Sequence, residues 1–189
     1  MNTLKIRLSA LGFLEFAVWG SYLVSLGMFL AGVGLGEYIF WFYTVQGLVS
    51  LVMPGLIGVI ADRFIPAQKM MSLCHVLAGS FMFAAGWYAM STGADVQFGP
   101  LFTLYTLSVA FFMPTIGLNN SVAFSALTKA GMDTVKEFPP IRVFGTVGFI
   151  FAELFVNFVP IDGQTIQHTF YQLFTCGIFS FILAVYALT

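Results

Sequence analysis

An all-α integral membrane protein is predicted, and three observations predict it. The 189 residues have a mean hydropathy of +0.95 and are 59% hydrophobic. Only 8% are charged, whereas a soluble domain needs about a quarter to cover a water-facing surface. The apolar residues also gather into six long, continuous stretches, which favours membrane helices over a barrel of short alternating strands. With a formal net charge of −1, no bulk field points to a nucleic acid or any other polyion. Cys74 and Cys176 lie in separate apolar stretches and form neither a disulfide framework nor a zinc pattern.

The stretches span about 8–31, 38–60, 70–91, 100–125, 139–159 and 169–188. Each meets the roughly 20 residues that a helix needs to cross a 30 Å hydrocarbon layer. The first follows Lys5 and Arg7 in the manner of a secretory signal, yet its length, Trp19 and Tyr22 predict a retained helix. The fourth contains Pro114, which removes a backbone hydrogen bond and should bend it. The fifth is predicted to begin at Phe138-Pro139-Pro140, with proline in the first turn, where a missing N–H costs nothing. Short loops and the lack of any linker predict one domain over 1–189. The stop at Thr189, without a soluble tail, predicts a piece of a longer protein.

Charge sets the expected orientation. Lys5, Arg7, Arg63, Lys69, Lys129 and Lys136 flank alternate ends of the stretches, and Arg142 lies just inside the fifth. The opposite loops carry Glu37, Asp95 and Asp162 but no Lys or Arg. All seven basic residues on one side predict that both ends of the chain face the cytoplasm.

Ionisable groups inside a span cost at least about 2.5–3.5 kcal/mol each at its centre. Glu15, Arg142 and Glu153 are such groups. In the fifth stretch Arg142, Thr146, Phe149 and Glu153 are spaced by four, three and four residues. On a helix they form a stripe roughly 60° wide and 16 Å long, offering a cation, a hydroxyl, an aromatic plate and a carboxyl. Arg142 either snorkels to the surface or lines a polar passage. Glu153, and Glu15 one turn before Trp19, either pack as neutral acids or handle protons. Asn119 and Asn120 either glue helices together or face a polar cavity. His75 reads as a satisfied polar group, not a metal ligand, and no metal or organic cofactor is expected. Gly145 and Gly148 would let a neighbouring helix approach closely.

Between the second and third stretches stands Gly58-Val59-Ile60-Ala61-Asp62-Arg63. Gly58 would permit close helix contact, and Asp62 could accept hydrogen bonds or pair with a cation. This loop resembles the signature of the major facilitator superfamily, with its usual Gly-Arg-Arg continuation replaced by Ile65-Pro66-Ala67-Gln68. A more specific likeness lies in Ala130-Gly131-Met132-Asp133, Val135, Phe138-Pro139-Pro140-Ile141-Arg142, Gly145-Thr146 and Gly148-Phe149-Ile150. That stretch closely resembles the bacterial nucleoside:proton symporter family. Met113-Pro114-Thr115, Gly117-Leu118, Asn120, Trp19-Gly20-Ser21 and Cys74-His75 agree with it, so the likeness covers essentially the whole chain.

The resemblance implies the amino-terminal six-helix half of a twelve-helix transporter in the bacterial inner membrane. It implies that Arg142, Thr146 and Phe149 contact a nucleoside, that the carboxy-terminal half supplies further contacts, and that a proton gradient drives uptake. Glu15, Glu153, Asn120 and Trp19 remain candidates for cavity lining or proton handling, and Gly58, Asp62 and Arg63 for a structural or gating loop. A carrier of oligosaccharides or another solute, also coupled to protons, is the nearest alternative. An intramembrane enzyme would need a convergent catalytic set, and the two histidines fall on opposite sides.

Overall fold

A backbone in hydrocarbon must satisfy its own N–H and C=O groups, and long apolar runs do so as helices. The computed structural model, which describes residues 3–189, has α1 (Thr3–Gly20), α2 (Leu26–Gly32), α3 (Ile39–Arg63), α4 (Ala67–Thr92), α5 (Phe98–Lys129), α6 (Thr134–Phe158) and α7 (Tyr171–Tyr186). The segments Gly36–Arg63, Ala67–Thr92, Phe98–Lys129 and Thr134–Phe158 are long and apolar enough to cross a membrane. Helix α7 is apolar but shorter, and α1 carries Lys5, Arg7 and Glu15.

Two local expectations are corrected. The first stretch is not one helix: α1 ends at Gly20, and turns over residues 21–25 lead into α2. Gly20 lowers the helical preference there, and the Ser21 hydroxyl bonds back to the Val18 carbonyl, offering the backbone a competing partner. The fifth stretch begins five residues early, at Thr134, because the Asp133 side chain caps the helix by accepting from the Val135 N–H. Pro139 and Pro140 therefore lie inside α6, where the carbonyls they leave free belong to exposed Val135 and Lys136 and can reach water. The fold also includes a minimal hairpin, β1 (Pro160–Ile161) paired antiparallel with β2 (Gln164–Thr165). Its two-residue turn, Asp162-Gly163, has positive φ at both positions, as a primed turn requires.

Helix α1 lies along α6 and also meets α5 and α7, α4 packs between α5 and α7, and α3 rests on α5. The α1–α6 crossing depends on glycine. A Cβ on Gly148 would overlap the Phe13 carbonyl, and one on Gly20 would overlap the Phe149 carbonyl. A Cβ on Gly145 would strike the Phe16 ring. Such close backbone approach is how membrane helices gain packing energy without a hydrophobic drive. By contrast, α3 buries only Phe42, Gln46, Ile57 and Ala61, and leaves Leu48, Leu51, Val52, Leu56 and Val59 exposed.

One end of the bundle gathers the basic residues. A cavity there brings together Leu4, Arg7 and Leu8 of α1, Gln68 and Met71 at the start of α4, Val122 and Ala126 of α5, and Tyr186. Lys5 pairs with Glu137 in the first turn of α6, and the Tyr186 hydroxyl donates to the Arg7 carbonyl. Lys129 and Lys136 flank the turn between α5 and α6 at this same end.

Candidate functional site

The capped start of α6 sets the phase of everything that follows on it. Ile141, Gly145, Gly148, Ala152 and Val156 are buried, which places that face against α1. Val143, Phe144, Val147, Ile150, Phe151 and Leu154 are exposed and wholly apolar. The stripe of Arg142, Thr146, Phe149 and Glu153 runs along the seam between the two, about 90° from the centre of the buried face. Arg142, Phe149 and Glu153 are half-buried, and Thr146 is exposed.

Aromatic contacts carry this seam onto α1. The Arg142 guanidinium carbon sits 4.0 Å from the Phe16 ring centroid, a cation–π contact. Phe16 touches Trp19 at 6.0 Å, and Trp19 meets Phe149 edge-on at 6.2 Å and 89°. Arg142 and Glu153 have no ion-pair partner among the described residues, and neither Glu153 nor Thr146 makes a side-chain hydrogen bond there. Their polar groups are uncommitted.

Trp19 is also one wall of a groove of roughly 430 Å3 between α1, α3 and α5. Tyr43, Gln46, Ser50 and Pro54 line it from α3, and Met113, Ile116 and Gly117 from α5. The indole Nε1 of Trp19 and Oδ1 of Asn120 are buried without a hydrogen-bond partner among the described residues.

Behind this groove lies a closed polar network. Glu15 and His75 are both 0% exposed, with 2.9 Å between carboxyl Oε2 and imidazole Nε2. Glu15 Oε1 is 2.7 Å from the Thr115 hydroxyl, and His75 Nδ1 is 3.1 Å from the Ser180 hydroxyl. Four helices, α1, α4, α5 and α7, are thus joined by side chains that no lipid can reach.

Residues 1–189, the whole chain, match the family model described as nucleoside H+ symporter. The chain belongs to that family. Within the symporter family it is 36% identical to the xanthosine permease of Escherichia coli over 99% of its own length and 42% of that protein's. It is 35% identical to the nucleoside permease NupG of Escherichia coli over 98% of itself and 42% of NupG. The crystal structure of nucleoside transporter NupG superposes with a TM-score of 0.82 at 32% identity, covering 100% of this chain and 44% of that one. The chain therefore spans less than half the length of the curated relatives it matches.

Other residues singled out in the sequence stand apart from the seam. A Cβ on Gly58 would meet nothing within 4 Å, so the close helix contact expected there is not made among the described residues. Asp62 and Arg63 are exposed and pair with nothing among them. Asn119 is buried and Asn120 half-buried, and neither side chain bonds across helices among the described residues. Sequence reasoning flagged Glu15 but not its partners Thr115 and Ser180, and it missed Gln46 altogether. A lone amide in an apolar helix was the one available signal for Gln46.

Proposed function

We propose that the full-length protein imports nucleosides together with protons by alternating access, and that this chain forms its amino-terminal six-span half. In this reading α1 with α2 makes one span, α7 makes the last, and the basic end of the bundle faces the cytoplasm of a bacterial cell. The observation that carries the reading is the Arg142–Phe16–Trp19–Phe149 seam with its uncommitted polar groups, in a chain of the nucleoside H+ symporter family. Arg142 donates to base carbonyl or ribose oxygens, Thr146 donates or accepts, and Phe149 stacks on the base. A few directional contacts suffice, because the site must also release. The missing half supplies the opposing wall and rocks against this one.

Proton coupling needs a group whose proton is held in one facing state and released in the other. The Glu15 network can accommodate both forms. The Thr115 hydroxyl has one proton and two acceptors, Glu15 Oε1 at 2.7 Å and the Phe112 carbonyl at 2.6 Å. With Glu15 ionised, Thr115 donates to the carboxylate. With Glu15 protonated on Oε1, the carboxyl donates to Thr115, whose proton turns to the Phe112 carbonyl. No polar group is orphaned in either state, and His75 and buried Cys74 are the other titratable neighbours.

The test is uridine uptake into vesicles containing the full-length protein, with and without an inward proton gradient. Gradient-driven accumulation by wild type, and its abolition in Arg142→Ala at unchanged expression, are expected. Wild-type uptake by Arg142→Ala would remove Arg142 from the site. Competition by unlabelled oligosaccharides but not nucleosides would favour the sugar carrier.

A further inference from the structure

Gln46 occupies an unusual position for an amide in a lipid-exposed helix. It is 8% exposed and lies in the groove wall beside Trp19. Its carbonyl Oε1 accepts from two phenols, Tyr105 at 2.7 Å and Tyr22 at 3.2 Å. Both tyrosines are 1% exposed and meet edge-on at 6.0 Å. Two donors converging on one oxygen use both of its lone pairs and fix the plane of the amide. With the amide reversed, both buried phenol protons would lose their acceptor, which costs more than the exchange returns.

The consequence falls on the other end of the side chain. Gln46 Nε2 carries two N–H donors and has no acceptor among the described residues. The neighbouring Trp19 Nε1 also lacks a partner among the described residues, but it is buried and does not open onto the groove. Of the remaining polar groups on the wall, the Ser50 hydroxyl donates to the Gly47 carbonyl and the Tyr43 hydroxyl to the Leu23 carbonyl. The groove thus presents the unfilled amide donors of Gln46 beside Trp19, the residue that touches Phe149. An amide N–H held at a mostly apolar wall calls for an oxygen acceptor on the ligand.

We propose that Gln46, held by Tyr22 and Tyr105, is a specificity-determining contact that reads a carbonyl oxygen on the base of the transported nucleoside. This rests on the nucleoside-transport reading above. A site whose buried donors need an acceptor discriminates against an analogue that lacks one, because the donors are then left unpaired. Inosine offers a base carbonyl and adenosine does not. The site therefore favours inosine over adenosine, and Gln46 is the cause.

The experiment is competition of unlabelled inosine and adenosine against labelled uridine in cells expressing the full-length transporter. Gln46→Glu keeps the oxygen that Tyr22 and Tyr105 need and removes the amine. Inosine should compete about three- to tenfold less well against that variant, the range of one neutral hydrogen bond, with adenosine within about twofold of wild type. A triple variant, Gln46→Leu with Tyr22→Phe and Tyr105→Phe, leaves no orphaned group and should show the same selective loss even if Gln46→Glu fails to reach the membrane. Unchanged inosine competition, or equal losses for both nucleosides, in whichever variant is expressed would overturn the assignment. Failure of the wild type to take up any nucleoside would instead overturn the transport reading, and this inference with it.

Discussion

Imidazole Nε2 of His75 stands 2.9 Å from carboxyl Oε2 of Glu15, sixty residues away in sequence, and water reaches neither side chain. The pair joins α1 to α4, while Thr115 and Ser180 extend it to α5 and α7. Removing one partner of a buried pair leaves the other uncompensated, at a cost of about 3–5 kcal/mol. Glu15→Ala should therefore lower the thermal unfolding temperature of the purified full-length transporter markedly. Glu15→Gln can keep hydrogen bonds to both His75 and Thr115 but cannot exchange a proton. It should unfold near the wild-type temperature and still exchange internal for external uridine, yet fail to accumulate uridine against a gradient. Full accumulation by Glu15→Gln would contradict the proton-handling role and leave the pair a structural tie.

The α1–α6 crossing leads to a prediction about packing. A methyl group on Gly148 or Gly20 has to displace a backbone carbonyl of the other helix. Overpacking of this kind costs about 1–3 kcal/mol. Gly148→Ala and Gly20→Ala should each reduce the yield of folded protein in size-exclusion chromatography. Gly55→Ala, where an added Cβ meets nothing within 4 Å, serves as the control and should elute as wild type.

Phe149 supplies the flat surface of the seam. Base stacking on an aromatic side chain is worth about 1–3 kcal/mol, so Phe149→Ala should weaken uridine competition by about fivefold or more. Phe149→Tyr retains the ring and should stay close to wild type. Equal affinities for the alanine and wild-type proteins would place the base elsewhere.

Much of this architecture is legible in the sequence, because hydrocarbon imposes a simple rule on composition. The stretches at 38–60, 70–91 and 100–125 fall within helices that extend them by only a few residues at either end. The break at residues 21–25 was hidden because Ser21, Tyr22 and Ser25 sit among residues as apolar as those of any span, and hydropathy averages over them. The expected start of α6 rested on Pro139 and Pro140 alone, and the Asp133 cap that sets the true start took no part in it. Glu15 was conspicuous as a charge in a span, but its pairing with His75 depends on which faces of α1 and α4 meet. No one-dimensional spacing encodes that. The arrangement of Gln46 between Tyr22 and Tyr105 was hidden for the same reason, since the three come from separate elements.

The most direct test concerns which solvent bathes the α6 seam. Cys74 and Cys176 are buried, so a cysteine introduced in place of exposed Thr146 offers the one accessible thiol among the described residues. The measurement is labelling of Thr146→Cys in membranes by a charged, membrane-impermeant thiol reagent, with and without excess uridine. Labelling that uridine suppresses is the expected result if, as proposed, the seam lines the substrate passage. A thiol that resists the charged reagent but reacts with a lipid-soluble maleimide, unaffected by uridine, would place the seam against lipid and contradict it.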